Sequence, residues 1–113
     1  MPVPLYQAKA EFFKTLGHPA RIRILELLSE RDYAVHELLS AISIEPSNLS
    51  HQLGVLRRSG LVVQRREAGE VMYSVSTPDV SDLLLAARRI LREIITDQND
   101  LKRALRSTSR PRA

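Results

Sequence analysis

One predicted helix of this sequence carries a face of short polar side chains that is suited to binding chemistry. Within residues 46–59, Leu49, Leu53 and Leu56 recur at spacings of four and three, which places them on one side of an α-helix. The other side carries hydroxyl, amide, imidazole and guanidinium groups, those of Ser47, Asn48, Ser50, His51 and Arg57. Short polar groups allow a helix to approach the base edges of a DNA groove and to form hydrogen bonds there.

A solvated surface helix would show the same amphipathic pattern, so its neighbours in the sequence decide the interpretation. Residues 35–42 predict a short helix and residues 43–45 a turn. Pro46 fits the first turn of the next helix, because its missing N–H group costs nothing there. Two helices joined by such a short turn form a helix-turn-helix, whose second helix enters the major groove of DNA.

Two extended segments follow this helix directly. Residues 61–66 and 71–75 are rich in β-branched and other apolar residues and predict the strands of a β-hairpin. Gly60 ends the preceding helix, and Gly69 can take a positive φ in the connecting turn. A hairpin in this place is the wing of a winged helix-turn-helix.

The charges of the hairpin predict how it meets DNA. Arg65 and Arg66 lie near its base, where they can reach phosphates. Glu67 and Glu70 at its tip disfavour deep insertion into a groove. We therefore expect the hairpin to contact the DNA backbone and not the bases.

The first and last helical segments predict a dimer. Residues 3–16 and 80–105 each show an apolar face, and a helix of about 25 residues spans nearly 40 Å, longer than a domain of this size covers. Pairing with a second copy of the chain would cover both faces. The apolar candidates for this homodimer interface are Leu5, Phe12, Phe13, Leu84, Ala87, Leu91, Ile94 and Ile95.

Composition limits the possible domain organisation and location of the protein but does not identify a partner. The first 101 residues hold 12 basic and 13 acidic side chains, so the net charge of +4 comes from the basic C-terminal end. We expect one domain over residues 1–105 and a disordered basic tail over 106–113. The sequence has no cysteine, no signal-peptide pattern and no apolar run of about 20 residues, which predicts a cytoplasmic protein that does not enter a membrane.

Two sequence blocks resemble the ArsR/SmtB family of winged-helix repressors. They are LGHPARIRIL at 16–25 and SNLSHQL at 47–53, the latter followed by Leu56 and by Gly-Leu-Val at 60–62. The resemblance covers roughly residues 8–98 and implies a homodimer that binds operator DNA. The DNA-contacting positions that it implies are Ser47, Asn48, Ser50, His51 and Gln52, with backbone contacts from around Val35 and from Arg65 and Arg66. Pro46 and Arg57 complete the predicted DNA-binding set.

The family's metal sites are not carried over. Residues 36–40 contain none of the cysteines that one family site uses, and no histidine follows His51 for the other. The three histidines of the chain are scattered in the sequence. For His18, before a proline at a helix start, capping or packing is the favoured interpretation. We therefore expect no metal and no other cofactor, and the effector is unknown.

The predicted fold is mainly α, with five helices and a two-stranded wing. The predicted function is a homodimeric transcriptional repressor that binds an inverted-repeat DNA operator. An enzyme is not expected, because the sequence shows no nucleophile with a base, no phosphate-binding glycine loop and no spaced carboxylate pair. Two alternatives remain: a winged helix that binds another protein, and a regulator that senses a small organic ligand at the dimer interface.

Overall fold

Residues 2–109, the part of the chain that the computed structural model describes, form five helices and three strands. Their order is α1 (Leu5–Leu16), α2 (Pro19–Glu30), β1 (Tyr33–Ala34), α3 (Val35–Ala41), α4 (Pro46–Arg58), β2 (Val62–Glu67), β3 (Glu70–Val75) and α5 (Pro78–Ser109). The chain divides into two units, one ending at Ser81 and the other beginning at Asp82. The predicted helix-turn-helix is α3 and α4, and the predicted hairpin is β2 and β3.

The core of the first unit is built from the apolar sides of α2, α3 and α4. Leu49, Leu53 and Leu56 of α4 are all buried, so the helical spacing predicted their side correctly. Further fully buried side chains come from α2, α3 and β2: Ile24, Leu25, Leu38 and Val62. This packing fixes which side of α4 remains exposed.

The C-terminus of α4 ends in a Schellman motif around Gly60. Gly60 has a φ of +77°, its N–H donates to the carbonyl of Arg57 at 3.0 Å, and the Leu61 N–H donates to the carbonyl of Leu56 at 3.0 Å. Leu56 and Leu61 are both buried. The prediction that Gly60 ends this helix is confirmed, and the motif directs the chain straight into β2.

The wing has three strands, one more than predicted. β1 pairs antiparallel with β3, Tyr33 opposite Tyr73 and Ala34 opposite Met72, and the strand order is β1-β3-β2. The sequence interpretation missed β1 because two residues are too short to show an alternating pattern. Both residues are buried, and β1 continues directly into α3.

The tip of the wing is a tight two-residue turn with an unusual alanine. Glu67 pairs with Glu70, and the residues between them, Ala68 and Gly69, have φ values of 51° and 81°. Positive φ at both positions is typical of a type I′ turn, where Asn-Gly is the preferred pair. The expectation that Gly69 adopts a positive φ is confirmed, whereas Ala68 pays a steric cost for its Cβ.

Ala68→Asn is expected to raise the free energy of unfolding by about 1 kcal/mol, because asparagine tolerates the left-handed region better than alanine does. Urea denaturation followed by circular dichroism measures this difference. Ala68→Val is the matched control, and its β-branched side chain should lower stability at the same φ. Equal stability of the two variants would contradict the positive φ at Ala68.

The terminal helices expose large apolar side chains within a single chain. In α1, Leu5 is 69% and Phe13 55% exposed, while Phe12 is half-buried. In α5, Leu91, Ile94 and Ile95 are 57%, 45% and 55% exposed. Of the remaining dimer candidates, Ala87 is exposed and Leu84 is half-buried.

The last helix is longer than predicted. α5 continues to Ser109, so the first residues of the predicted basic tail are helical, and 110–113 lie outside the described residues. None of the helices in the described range is long and apolar enough to cross a membrane.

Candidate nucleic-acid interface

The exposed side of α4 presents the polar groups that the sequence singled out. Pro46, Ser47, Asn48, Ser50, His51 and Arg57 are all exposed, as is Arg58. No carboxylate occurs in the sequence between Glu45 and Glu67. This surface therefore carries hydrogen-bonding groups and arginines, and neither α4 nor the Schellman turn adds an acidic side chain to it.

The N-terminal turn of α4 adds backbone donors to this surface. The helix begins with Pro46, has no acidic residue in its first turn, and receives no side-chain hydrogen bond from its N-cap, Glu45. The first N–H groups of a helix have no partner within the helix. Together with the helix dipole they favour an anion such as a phosphate.

Gln52, which the family resemblance implied as a DNA contact, lies inside the protein. Its side chain is 4% exposed, and it is the one buried polar side chain among the residues whose exposure the structure describes. Its Oε1 accepts from Nε of Arg21 at 2.8 Å, and its Nε2 donates to Oδ1 of Asn48 at 3.0 Å. Arg21 also donates from Nη1 to the carbonyl of Thr15 at 3.1 Å. Helical spacing gave a signal for this burial, because Gln52 follows Leu49 by three residues and precedes Leu56 by four, on the leucine side of α4. Nothing in the sequence pattern identified its partner, Arg21.

Gly54 lies on the exposed side of α4 near Arg58. The three atoms nearest to a Cβ built on Gly54 all belong to the Arg58 guanidinium, the closest being Nη1 at 3.0 Å. A glycine in a helix interior costs about 1 kcal/mol relative to alanine. Here the half-buried glycine allows the Arg58 guanidinium to pack against the helix where a Cβ would otherwise stand.

The two arginines of the wing differ in their surroundings. Arg65 donates to Asp32 Oδ2 at 2.7 Å, to Glu67 Oε2 at 2.6 Å and to Ser74 Oγ at 3.0 Å. The hydrogen bond from Arg65 lowers the pKa of Asp32 below its ordinary value, with a second contribution from Ser74. Arg66 is exposed and forms no ion pair within the described part of the chain. Two carboxylates therefore offset the charge of Arg65, whereas that of Arg66 is free.

The start of α3 is fixed by a carboxylate. Val35, the first residue of α3, is half-buried. Glu37 Oε1 accepts the Ala34 N–H at 2.9 Å, and its Oε2 lies 3.0 Å from Arg31 Nη1. The pKa of Glu37 is lowered, first by the Ala34 hydrogen bond and then by Arg31. These contacts hold the N-terminus of the helix-turn-helix in place.

The histidines occupy three separate places. His18 caps α2, where its Nδ1 accepts the Ala20 N–H at 3.2 Å, which confirms the capping interpretation. Nδ1 of His36 on α3 lies 3.4 Å from Oε1 of Glu70 in the wing. His51 is exposed on α4. No group of three or more metal-ligating side chains occurs in the range that the structure covers.

These features define a class of protein. A helix-turn-helix presents a polar second helix without acidic side chains, and a sheet wing with a free arginine follows it. This is the architecture of a winged helix-turn-helix DNA-binding protein.

Comparisons with known proteins then give the family. Residues 18–63 match the family described as "Bacterial regulatory protein, arsR family". The uncharacterized HTH-type transcriptional regulator Rv0081 of Mycobacterium tuberculosis is 58% identical over 96 residues, which cover 84% of each chain. A biofilm growth-associated repressor of Agrobacterium fabrum is 36% identical over 76% of this chain and 77% of its own. The chain belongs to the arsR family of transcriptional regulators, a class that is not enzymatic.

Solved structures agree with this assignment. The crystal structure of Rv0081 is similar with a TM-score of 0.79 and 57% identity, over 86% of this chain and 98% of that one. The homodimeric winged helix-turn-helix DNA-binding domain of Mb0332 from Mycobacterium bovis is similar with a TM-score of 0.73 and 28% identity, over 80% and 84% of the chains. The predicted resemblance and fold class are confirmed, with a third strand added to the wing.

Proposed function

We propose that this protein is a homodimeric repressor that binds an inverted-repeat DNA operator, with α4 of each protomer in a major groove. The observation that carries the proposal is the polar face of α4, which is exposed, free of carboxylates and backed by a buried leucine row. The proposed site of action is the cytoplasm, where bacterial DNA is found.

The exposed residues divide into two roles. The first role is to form hydrogen bonds to base edges, because short polar side chains allow the helix to come close to the floor of the groove. It belongs to Ser47, Asn48, Ser50 and His51. Backbone groups near Val35 and Pro46, together with Arg57 and Arg66, contact phosphates. Gln52 makes no DNA contact and supports α4 from the interior. Arg65 stabilises the wing through its hydrogen bonds to Asp32 and Glu67.

The proposed dimer uses α1 and α5. Each helix exposes large apolar side chains in the single chain, among them Phe13 and Leu91. Contiguous exposed apolar surface marks an interaction site in soluble proteins. The homodimeric state of Mb0332 supports a second copy of the chain as the partner. A two-fold dimer predicts half-sites separated by about one helical turn of DNA, roughly 34 Å.

Selection of bound fragments from genomic DNA tests the function. We expect the purified protein to enrich a small set of fragments with an imperfect inverted repeat. Their affinity should fall steeply with salt and yet exceed that of scrambled duplexes at every salt concentration. Binding without any sequence preference would instead favour a winged helix that holds another protein.

The wing arginines give a matched pair of variants. Arg66→Ala is expected to reduce the slope of log affinity against log salt by about 2, because the dimer loses two phosphate contacts of roughly 0.9 each. Arg65→Ala removes the same charge but no phosphate contact, so its slope should stay near that of the wild type. Fluorescence anisotropy across a salt series measures both slopes. If Arg65→Ala changed the slope more than Arg66→Ala, Arg65 and not Arg66 would be the phosphate contact.

A further inference from the structure

The hydrogen bonds that join Arg21, the buried Gln52 and the exposed Asn48 have a fixed direction. Arginine has only donors, so the bond from Arg21 requires that Gln52 turn its carbonyl oxygen toward Arg21. The amide NH₂ of Gln52 then faces Asn48 and needs an acceptor, which is Oδ1 of Asn48. The NH₂ group of Asn48 is left on the exposed side of α4. Each amide in the series therefore has one orientation.

The network is anchored well enough to keep that orientation. Gln52 is 4% exposed, so water does not compete for its hydrogen bonds. Arg21 is held a second time by the carbonyl of Thr15, at the end of α1. Turning the Asn48 amide over would place its NH₂ against the NH₂ of Gln52. The surface of α4 thus presents a donor at position 48.

This polarity has a consequence for base recognition. In the major groove, guanine and thymine present the acceptors O6 and O4, whereas adenine and cytosine present amino donors at N6 and N4. An asparagine that turns freely pairs with adenine by accepting from N6 and donating to N7. Asn48 directs its oxygen to Gln52, so its outward NH₂ cannot accept from the amino group of adenine or cytosine. Adenine then offers only N7 and loses the second hydrogen bond of the usual pair.

We propose that Asn48 selects a keto base, guanine or thymine, at one position of each half-site, and that Arg21 and Gln52 are positioning residues that set this preference. The proposal rests on the proposed function. It assigns a specificity role to two side chains that lie behind the DNA-facing surface.

Gln52→Glu tests the proposal from inside the protein. A carboxylate at position 52 still accepts from Arg21 but offers Asn48 only an acceptor, so the Asn48 amide should turn its NH₂ inward and its oxygen outward. In selections from a randomised duplex library, the wild type should prefer guanine or thymine by about tenfold at one position. Gln52→Glu should shift that same position to adenine or cytosine. If Gln52 had only a general structural role, Gln52→Glu would lower the affinity for all sequences and leave the preferred base at that position unchanged.

Asn48→Asp gives the same test at an exposed position, where folding is not at risk. One carboxylate oxygen accepts from Gln52 and the other presents an acceptor, so the same position should again shift to adenine or cytosine. Thermal unfolding checks each variant, and Ser59→Ala, beyond the end of α4, is the control that should keep the wild-type preference. Unchanged base preferences in both variants, or a uniform loss that marks Asn48 as a phosphate contact, would overturn the inference. A wild type that enriches no sequence would instead refute the proposed function.

Discussion

Leu91→Glu in α5 is expected to convert the proposed dimer into monomers. Leu91 is 57% exposed in the single chain and lies on the apolar side of α5 with Ile94 and Ile95. Burying a leucine contributes about 1.5–3 kcal/mol, and a two-fold interface contains each residue twice. A carboxylate in its place would have to be buried without a partner, which costs more than the lost apolar contact. Sedimentation equilibrium measures the change directly.

The same variant should lose operator affinity by a factor of about 100 or more, because a dimer gains that much from binding two half-sites at once. Thr96→Glu is the matched control: it adds the same charge to α5 on the side away from Leu91, and it should leave the dimer intact. Circular dichroism shows whether both variants remain helical. A Leu91→Glu protein that sediments as a dimer would exclude this side of α5 from the interface.

His51→Ala is expected to weaken specific binding by about 1–3 kcal/mol for each half-site, since each dimer would lose two groove contacts. Binding to scrambled duplexes should change little, because that binding depends on phosphate charges. Fluorescence anisotropy with selected and scrambled duplexes separates the two effects.

His36→Ala is the control for the loss of an exposed imidazole. His36 lies on α3 near Glu70 of the wing and not on α4. We expect its removal to leave the ratio of specific to nonspecific affinity near the wild-type value. If this ratio fell equally in both variants, or did not fall in His51→Ala, His51 would not be a base-contacting residue.

The sequence predicted those parts of the site that periodicity controls. The spacing of Leu49, Leu53 and Leu56 assigned the buried side of α4, and with it the exposure of Ser47 and His51. Gly60 located the end of α4, and Gly69 located the turn of the wing, because glycine readily adopts a positive φ. Local pattern was sufficient because these features depend on residues close together in the chain.

Features that depend on distant partners were not predicted. Helical spacing places Gln52 on the leucine side of α4, but its hydrogen-bond partner Arg21 is 31 positions away in the sequence. Arg65 and Arg66 are equivalent in sequence, but Asp32, 33 positions before Arg65, pairs with only one of them. The resemblance carried Gln52 over as a DNA contact because a family pattern records residue type and not the direction of a side chain.

β1 has a mechanical consequence. Tyr33 and Ala34 are paired with β3 of the wing and are followed without a linker by the first residue of α3. The hairpin is thus paired with β1, whose backbone continues into the helix-turn-helix without a hinge at that junction. We expect the duplex, and not the hairpin, to yield when the two surfaces meet, so that operators with easily deformed steps gain affinity even at base pairs that no side chain touches.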